Sequence, residues 1–170
     1  MRITILGLPA SGKSTLAREI AKKAGVPHIQ LDRFWLEAGG KQNSFNTPNI
    51  EDVRAHVVEK TMNAISAEEW VSDGFYSQVQ TAIADRADIV IFLDVPLWKR
   101  LFNYTTRVFR RKHAHPELSL WDDIKFTIEV VKRTFTKGPR HRRFIKNYKD
   151  KLVVLRTRKD MASFVANLKK

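Results

Sequence analysis

The chain has 170 residues, 43% of them apolar, no cysteine and a formal net charge of +13. That length suits one domain with a core of its own, and no apolar run approaches the ~18 residues that span a bilayer. The lack of cysteine excludes disulfides and thiolate metal sites and suits a reducing cytoplasm, while a start that leads directly into a strand argues against a secretory signal.

Ile3-Thr4-Ile5-Leu6 is a β-branched, apolar run and predicts the first strand. Directly after it stands Gly7-Leu8-Pro9-Ala10-Ser11-Gly12-Lys13-Ser14-Thr15, which fits G-x-x-x-x-G-K-[ST]. Leu16, Ala17, Ile20 and Ala21 then recur at helical spacing. Strand, glycine loop and helix in this order are the context in which the motif cradles phosphate. Gly7 and Gly12 let the backbone turn tightly and approach an anion. The loop N–H groups and the helix N-terminus face the phosphate oxygens. Lys13 reaches the β- and γ-phosphates, and the Ser14 hydroxyl is suited to Mg²⁺.

Gly25 predicts the end of the first helix. Residues 26–31 read as a second strand ending at Asp32, and strand carboxyl ends line the ligand crevice of an open α/β sheet. Three readings of Asp32 stand open: acceptor of a substrate hydroxyl proton, holder of the Mg²⁺ water shell, or a helix cap. Arg33 pairs with a substrate phosphate or lies on the surface. Phe34-Trp35-Leu36 packs a small subdomain or walls a substrate base. Residues 38–49, rich in Gly and Asn, predict a long loop. Val53, Val57, Met62 and Ile65 predict a helix from Glu51 to Ser66.

Glu69 to Gly74 is a third short strand that ends in Asp73-Gly74. An acid at this place can hold Mg²⁺ through water; a plain Asp-Gly turn is the other reading. A short helix over Gln78–Ala84 follows. Residues 87–96 then predict a fourth strand, continuously apolar like a parallel strand covered on both faces. Strands alternating with helices argue for βαβ units and a parallel sheet.

The charge is uneven. Residues 1–96 carry 10 Lys and Arg against 12 Asp and Glu, whereas residues 97–149 carry 15 against 4. The basic surplus therefore belongs to one segment, which needs its own explanation. A helix over Leu97–Lys112 places Leu97, Leu101, Thr105 and Val108 on one stripe and Arg100, Arg107 and Arg111 on another. A capping-type start at Ser119 with Asp122 opens a second helix. Lys137-Gly138-Pro139 is expected to end it and open a third, which carries Arg140, Arg142, Arg143 and Lys146. Lys151–Leu155 is the fifth strand, followed by Arg156-Thr157-Arg158 and a C-terminal helix. His113-x-His115 lacks further ligands nearby and reads as a solvated loop.

The glycine loop, Asp73-Gly74-Phe75 and residues 88–96 resemble the corresponding stretches of adenylate kinase and related P-loop nucleotide kinases. Leu31-Asp32, Phe34-Trp35, residues 70–74, the arginine-rich helix and Leu155-Arg156-Thr157 resemble, within that group, the proteins labelled DNA topology modulation (FlaR-type). The resemblance implies a three-layer α/β/α P-loop NTPase fold with a five-stranded parallel sheet of order 2-3-1-4-5. It implies one domain over residues 1–170, with a helical substrate-binding insert near 33–66 and an arginine-rich lid near 97–149. It further implies ATP and Mg²⁺ as cofactors. Residues 7–15, namely Gly7, Leu8, Pro9, Ala10, Ser11, Gly12, Lys13, Ser14 and Thr15, would hold ATP, with Arg156 and Thr157 at its adenine. Ser14 and Asp73 would serve the metal. Lys13, Asp32, Arg107, Arg111 and Arg140 would act in transfer, with Lys137 as a further lid cation. Tyr76-Ser77 departs from the Pro-Arg that follows Asp-Gly-Phe in adenylate kinases, so AMP is not implied as acceptor.

The expected activity is Mg-ATP-dependent phosphoryl transfer to a small nucleotide, nucleoside or similar metabolite, by a monomer or homodimer without membrane association. The second reading is a P-loop ATPase that binds nucleic acid through residues 97–149, since phosphate neutralisation by such a stretch gives salt-dependent binding. The third is a plain solvated basic surface.

Overall fold

A computed structural model describes residues 1–40, 47–114 and 120–168, and their side chains apart from 107–114, 120–127 and 129–130. Five strands form one parallel sheet in the order β2-β3-β1-β4-β5. They are β1 (Arg2–Gly7), β2 (His28–Gln30), β3 (Trp70–Asp73), β4 (Ile89–Leu93) and β5 (Leu152–Leu155). Seven α-helices are described with them: α1 (Lys13–Ala24), α2 (Leu31–Glu37), α3 (Ile50–Ile65), α4 (Gln80–Arg86), α5 (Leu97–Ala114), α6 (Leu120–Ile145) and α7 (Arg158–Asn167). A 3₁₀ segment, Lys146–Lys151, joins α6 to β5.

The strands are apolar throughout because both faces are covered. Alternation sends Ile3, Ile5, Val71, Ile91 and Leu93 to the face under α1 and α7, where Leu16, Ile20 and Leu155 meet them. Leu6, Trp70, Val90 and Phe92 point the other way, against Ile83 of α4, Ile145 at the end of α6 and Tyr148 beyond it. A smaller cluster of Trp35, Val53 and Val57 joins α2 to α3. All strands run in parallel, so the carboxyl ends of β1, β2, β3 and β5 open on one edge, with the glycine loop at its centre.

Two expectations are corrected. The second strand stops at Gln30, and Asp32 lies in the first turn of α2 rather than at the strand end. The cause is local: Leu31 is buried against the sheet, and Trp35 at i+4 is buried on the same stripe, so the helix begins at once. Second, Lys137-Gly138-Pro139 breaks nothing, and α6 runs through to Ile145 with Pro139 inside it. Gly138, His141 and Ile145 are buried on one face, while Pro139 is exposed and forgoes a single backbone hydrogen bond. Burial of a long stripe outweighs that local penalty. The expected start at Ser119 and the loop over 41–46 lie outside the described residues, as does His115.

Candidate active site

The glycine loop leaves β1 at Gly7 with φ of 150°. A Cβ there would stand 3.0 Å from the Leu93 carbonyl oxygen of β4. At the far end Gly12 caps α1 with φ of 95°, a left-handed conformation that glycine adopts without steric cost. Between them Ala10 also takes a positive φ of 61°. Ser11 Oγ is buried without a hydrogen-bond partner among the described residues.

Lys13 Nζ donates to the Leu8 carbonyl at 3.2 Å, which keeps the ammonium over the loop. Burial holds its pKa below the usual lysine value, and the charges of Arg100 and Arg133 push the same way against Asp32 and Asp73. The Ser14 hydroxyl donates to Asp73 Oδ2 at 2.5 Å. Burial pushes the Asp73 carboxyl up, yet hydrogen bonds from His28 and Ser14, with the Lys13 charge, hold it below the usual carboxylate range. A hydroxyl and an ionised carboxylate side by side are hard oxygen donors and suit Mg²⁺, which takes few protein ligands beside phosphate and water. Among the described residues no group of three His, Asp or Glu gathers to hold a metal by protein alone.

Across the loop, Asp32 opens on the solvent of the cleft. Partial desolvation and the neighbouring Asp73 raise its carboxyl above the usual range, against the charges of Lys13, Arg133 and Lys137. A carboxylate with a raised pKa, next to solvent, is suited to accept a proton. Tyr76, in van der Waals reach of Trp35 at a ring distance of 5.8 Å, is held in its neutral form by burial and by Asp32. Arg33 faces outward and pairs with Glu37 at 2.6 Å.

Helices α5 and α6 close over the loop. Arg100 of α5, only 1% exposed, donates to the Pro9 carbonyl at 3.3 Å and to Thr134 Oγ1 of α6 at 2.5 Å. Asn103, one turn on, donates to the Ala10 carbonyl at 3.2 Å and accepts from Arg158 of α7. The loop's carbonyl side is thus braced by the basic segment, which leaves its N–H side for an anion.

Of the cations named from the sequence, Lys137 lies near Asp32, and Arg133 joins it. Arg133 and Lys137, four residues apart on α6, act on Asp32, and Arg133 acts on Lys13 as well. Arg140 lies over Phe75, its guanidinium 6.0 Å from the ring centre. The side chains of Arg107 and Arg111 lie outside those described; the backbone puts Arg107 about two turns along α5 from Arg100. Arg156 lies 3.6 Å from Asp94, and Thr157 caps α7, accepting from the Asp160 N–H in a reciprocal capping box. Both stand at the carboxyl end of β5, on the same sheet edge as the loop. Sequence reasoning missed Arg100 as a loop contact, Arg133, and His28 beside Asp73. Arg100 already stood on the predicted basic stripe, but nothing in that stripe marks which arginine is buried.

No family model matches the chain. A probable chloroplastic adenylate kinase 2 of Oryza sativa subsp. japonica is 29% identical over 142 residues, covering 69% of this chain and 49% of that protein. The putative adenylate kinase of Pyrococcus furiosus is 35% identical over 94 residues, covering 55% and 48%. The chain spans about half the length of the curated relatives it matches. Among solved structures, a shikimate kinase from Bacteroides thetaiotaomicron superposes with a TM-score of 0.58 at 17% identity, over 98% of this chain and 94% of that one. A gluconokinase from Sinorhizobium meliloti superposes with a TM-score of 0.51 at 15% identity, over 97% and 87%. These likenesses establish the P-loop kinase fold with sheet order 2-3-1-4-5.

Proposed function

We propose that the chain is a Mg-ATP-dependent kinase that phosphorylates a hydroxyl or phosphate of a small nucleotide, nucleoside or similar metabolite. One observation carries the reading: Lys13, the Ser14–Asp73 pair and Asp32 converge at the mouth of the glycine loop, with cations of α5 and α6 around them. The adenylate kinase relatives and the metabolite-kinase fold neighbours support it.

In this reading the loop N–H groups and Lys13 hold the β- and γ-phosphates. Ser14 and Asp73 would hold Mg²⁺, which supplies charge neutralisation across those phosphates when bound. Asp32 takes the proton of the acceptor hydroxyl. Arg133 and Lys137 face the developing charge, and their positive field also keeps Asp32 ready to ionise. Arg156 and Thr157 flank the base of ATP, and Arg140 with Arg107 and Arg111 contributes to the lid.

The test is incubation with ATP, Mg²⁺ and a panel of nucleosides, nucleotides and sugars, with products read by mass spectrometry. Wild type should phosphorylate at least one class. Lys13→Ala should retain the fold by circular dichroism and lose transfer by roughly 10²–10³-fold. ATP hydrolysis that DNA stimulates, with no phosphorylated acceptor, would instead support the nucleic-acid reading.

A further inference from the structure

Both oxygens of Asp73 are engaged. Oδ2 accepts the Ser14 hydroxyl, while Oδ1 lies 3.0 Å from His28 Nε2. His28 Nδ1 in turn lies 3.0 Å from the Gln30 side-chain nitrogen. The sheet explains the alignment. His28 and Gln30 are two residues apart on β2 and share a face. Gln30 is the register partner of Asp73, and His28 that of Val71, so all three polar side chains lie on the α1 side of the sheet. The His28 and Asp73 side chains are 12% and 6% exposed, so water competes little for these bonds.

Hydrogen-bond chemistry then fixes which ring nitrogen serves the carboxylate. An ionised carboxylate only accepts, so Nε2 carries a proton. The Gln30 amide meets Nδ1 on the other edge, so the ring is held from both sides.

We propose that His28 is a positioning residue for Asp73: held by Gln30 with its Nε2–H on the carboxylate, it occupies Oδ1 and keeps Oδ2 directed at Ser14 and the cation. This rests on the reading of Ser14 and Asp73 as the Mg²⁺ oxygens of an ATP site. A carboxylate that binds a metal is oriented by the donors behind it, and loss of such a donor costs roughly 10–100-fold in metal affinity. A mere strut between β2 and β3 would affect stability and leave the metal response intact.

The experiment measures binding of a non-hydrolysable ATP analogue by calorimetry, with and without Mg²⁺, for wild type, His28→Leu and His28→Gln. The tautomer of His28 is read in parallel by ¹⁵N NMR of the wild type. His28→Leu should lose about tenfold of the affinity gain that Mg²⁺ gives, with metal-free affinity unchanged. His28→Gln, whose amide nitrogen can reach Oδ1, should keep most of the gain. The NMR signal should show a proton on Nε2. If His28→Leu does not fold, Gln30→Leu replaces it, and should release Nδ1 and blunt the Mg²⁺ gain. A full Mg²⁺ gain in His28→Leu, an equal loss with and without Mg²⁺, or a ring with no proton on Nε2 would overturn the role of His28 alone. Absence of nucleotide binding by wild type would overturn the Mg-ATP reading and this inference together.

Discussion

Asp32 and His141 are both perturbed by their surroundings, in ways that separate function from stability. The Asp32 carboxyl is raised by desolvation, so the folded protein binds its proton more tightly than the unfolded chain does. Its stabilising contribution is present at low pH and is lost as pH rises, and at pH 7 the ionised group weakens the free protein. Asp32→Asn should therefore raise the melting temperature at pH 7, with the gain shrinking as pH falls into the carboxylate range. The same substitution should lower kcat by roughly 10²–10⁴-fold if Asp32 is the base. Calorimetry and steady-state kinetics on one variant check both. His141 behaves in the opposite sense. It is 4% exposed, its ring lies 4.1 Å from that of Phe75, and burial with the charges of Lys13, Lys137 and Arg140 lowers its pKa to about 4. The unfolded chain takes this proton near pH 6.5 and the folded chain only near 4. Stability is therefore lost as pH falls through that window, by roughly 2–3 kcal/mol. Urea unfolding at pH 4.5 and 7 should show the loss, and His141→Phe should remove most of it.

At the level of elements, α6 shows how a local signal is outvoted. Gly-Pro usually punctuates a helix, yet α6 continues because Gly138, His141 and Ile145 bury one stripe against the loop and the core. Gly138 passes Leu8 closely, but a Cβ there would sit 3.7 Å from Leu8 Cδ1, an ordinary contact. Its backbone is helical and Pro139 follows it, so glycine avoids the clash that the proline Cδ makes with a preceding Cβ in the α region. Gly138→Ala should therefore lower stability in urea unfolding, despite the higher helix propensity of alanine. A gain of about 0.5–1 kcal/mol would show that the helix takes up the Cβ without strain. Helix α2 teaches the complementary lesson. Its start at Leu31 follows from the burial of Leu31 and Trp35, which the apolar run Val26–Leu31 read as strand does not distinguish from β structure.

Over the whole molecule, the basic surplus of residues 97–149 divides once the fold is known. Arg100 is buried and braces the loop and Arg142 pairs with Asp94, whereas Arg133 and Lys137 lie near Asp32, so the stretch serves both the protein's own architecture and the candidate site. The phosphate loop was legible from nine consecutive residues, because an anion cradle is made by backbone geometry that glycine positions announce locally. The strands were legible from their apolar runs, since a parallel strand needs both faces covered. Strand order was available only through resemblance. Which arginine is buried, which cations of α6 lie near Asp32, and that His28 stands behind Asp73 were decided by tertiary structure. Spacing along a chain determines which face of its own element a residue occupies. What stands opposite that face depends on the order of strands and the crossing of α5 and α6, contacts between residues tens of positions apart that no local pattern encodes.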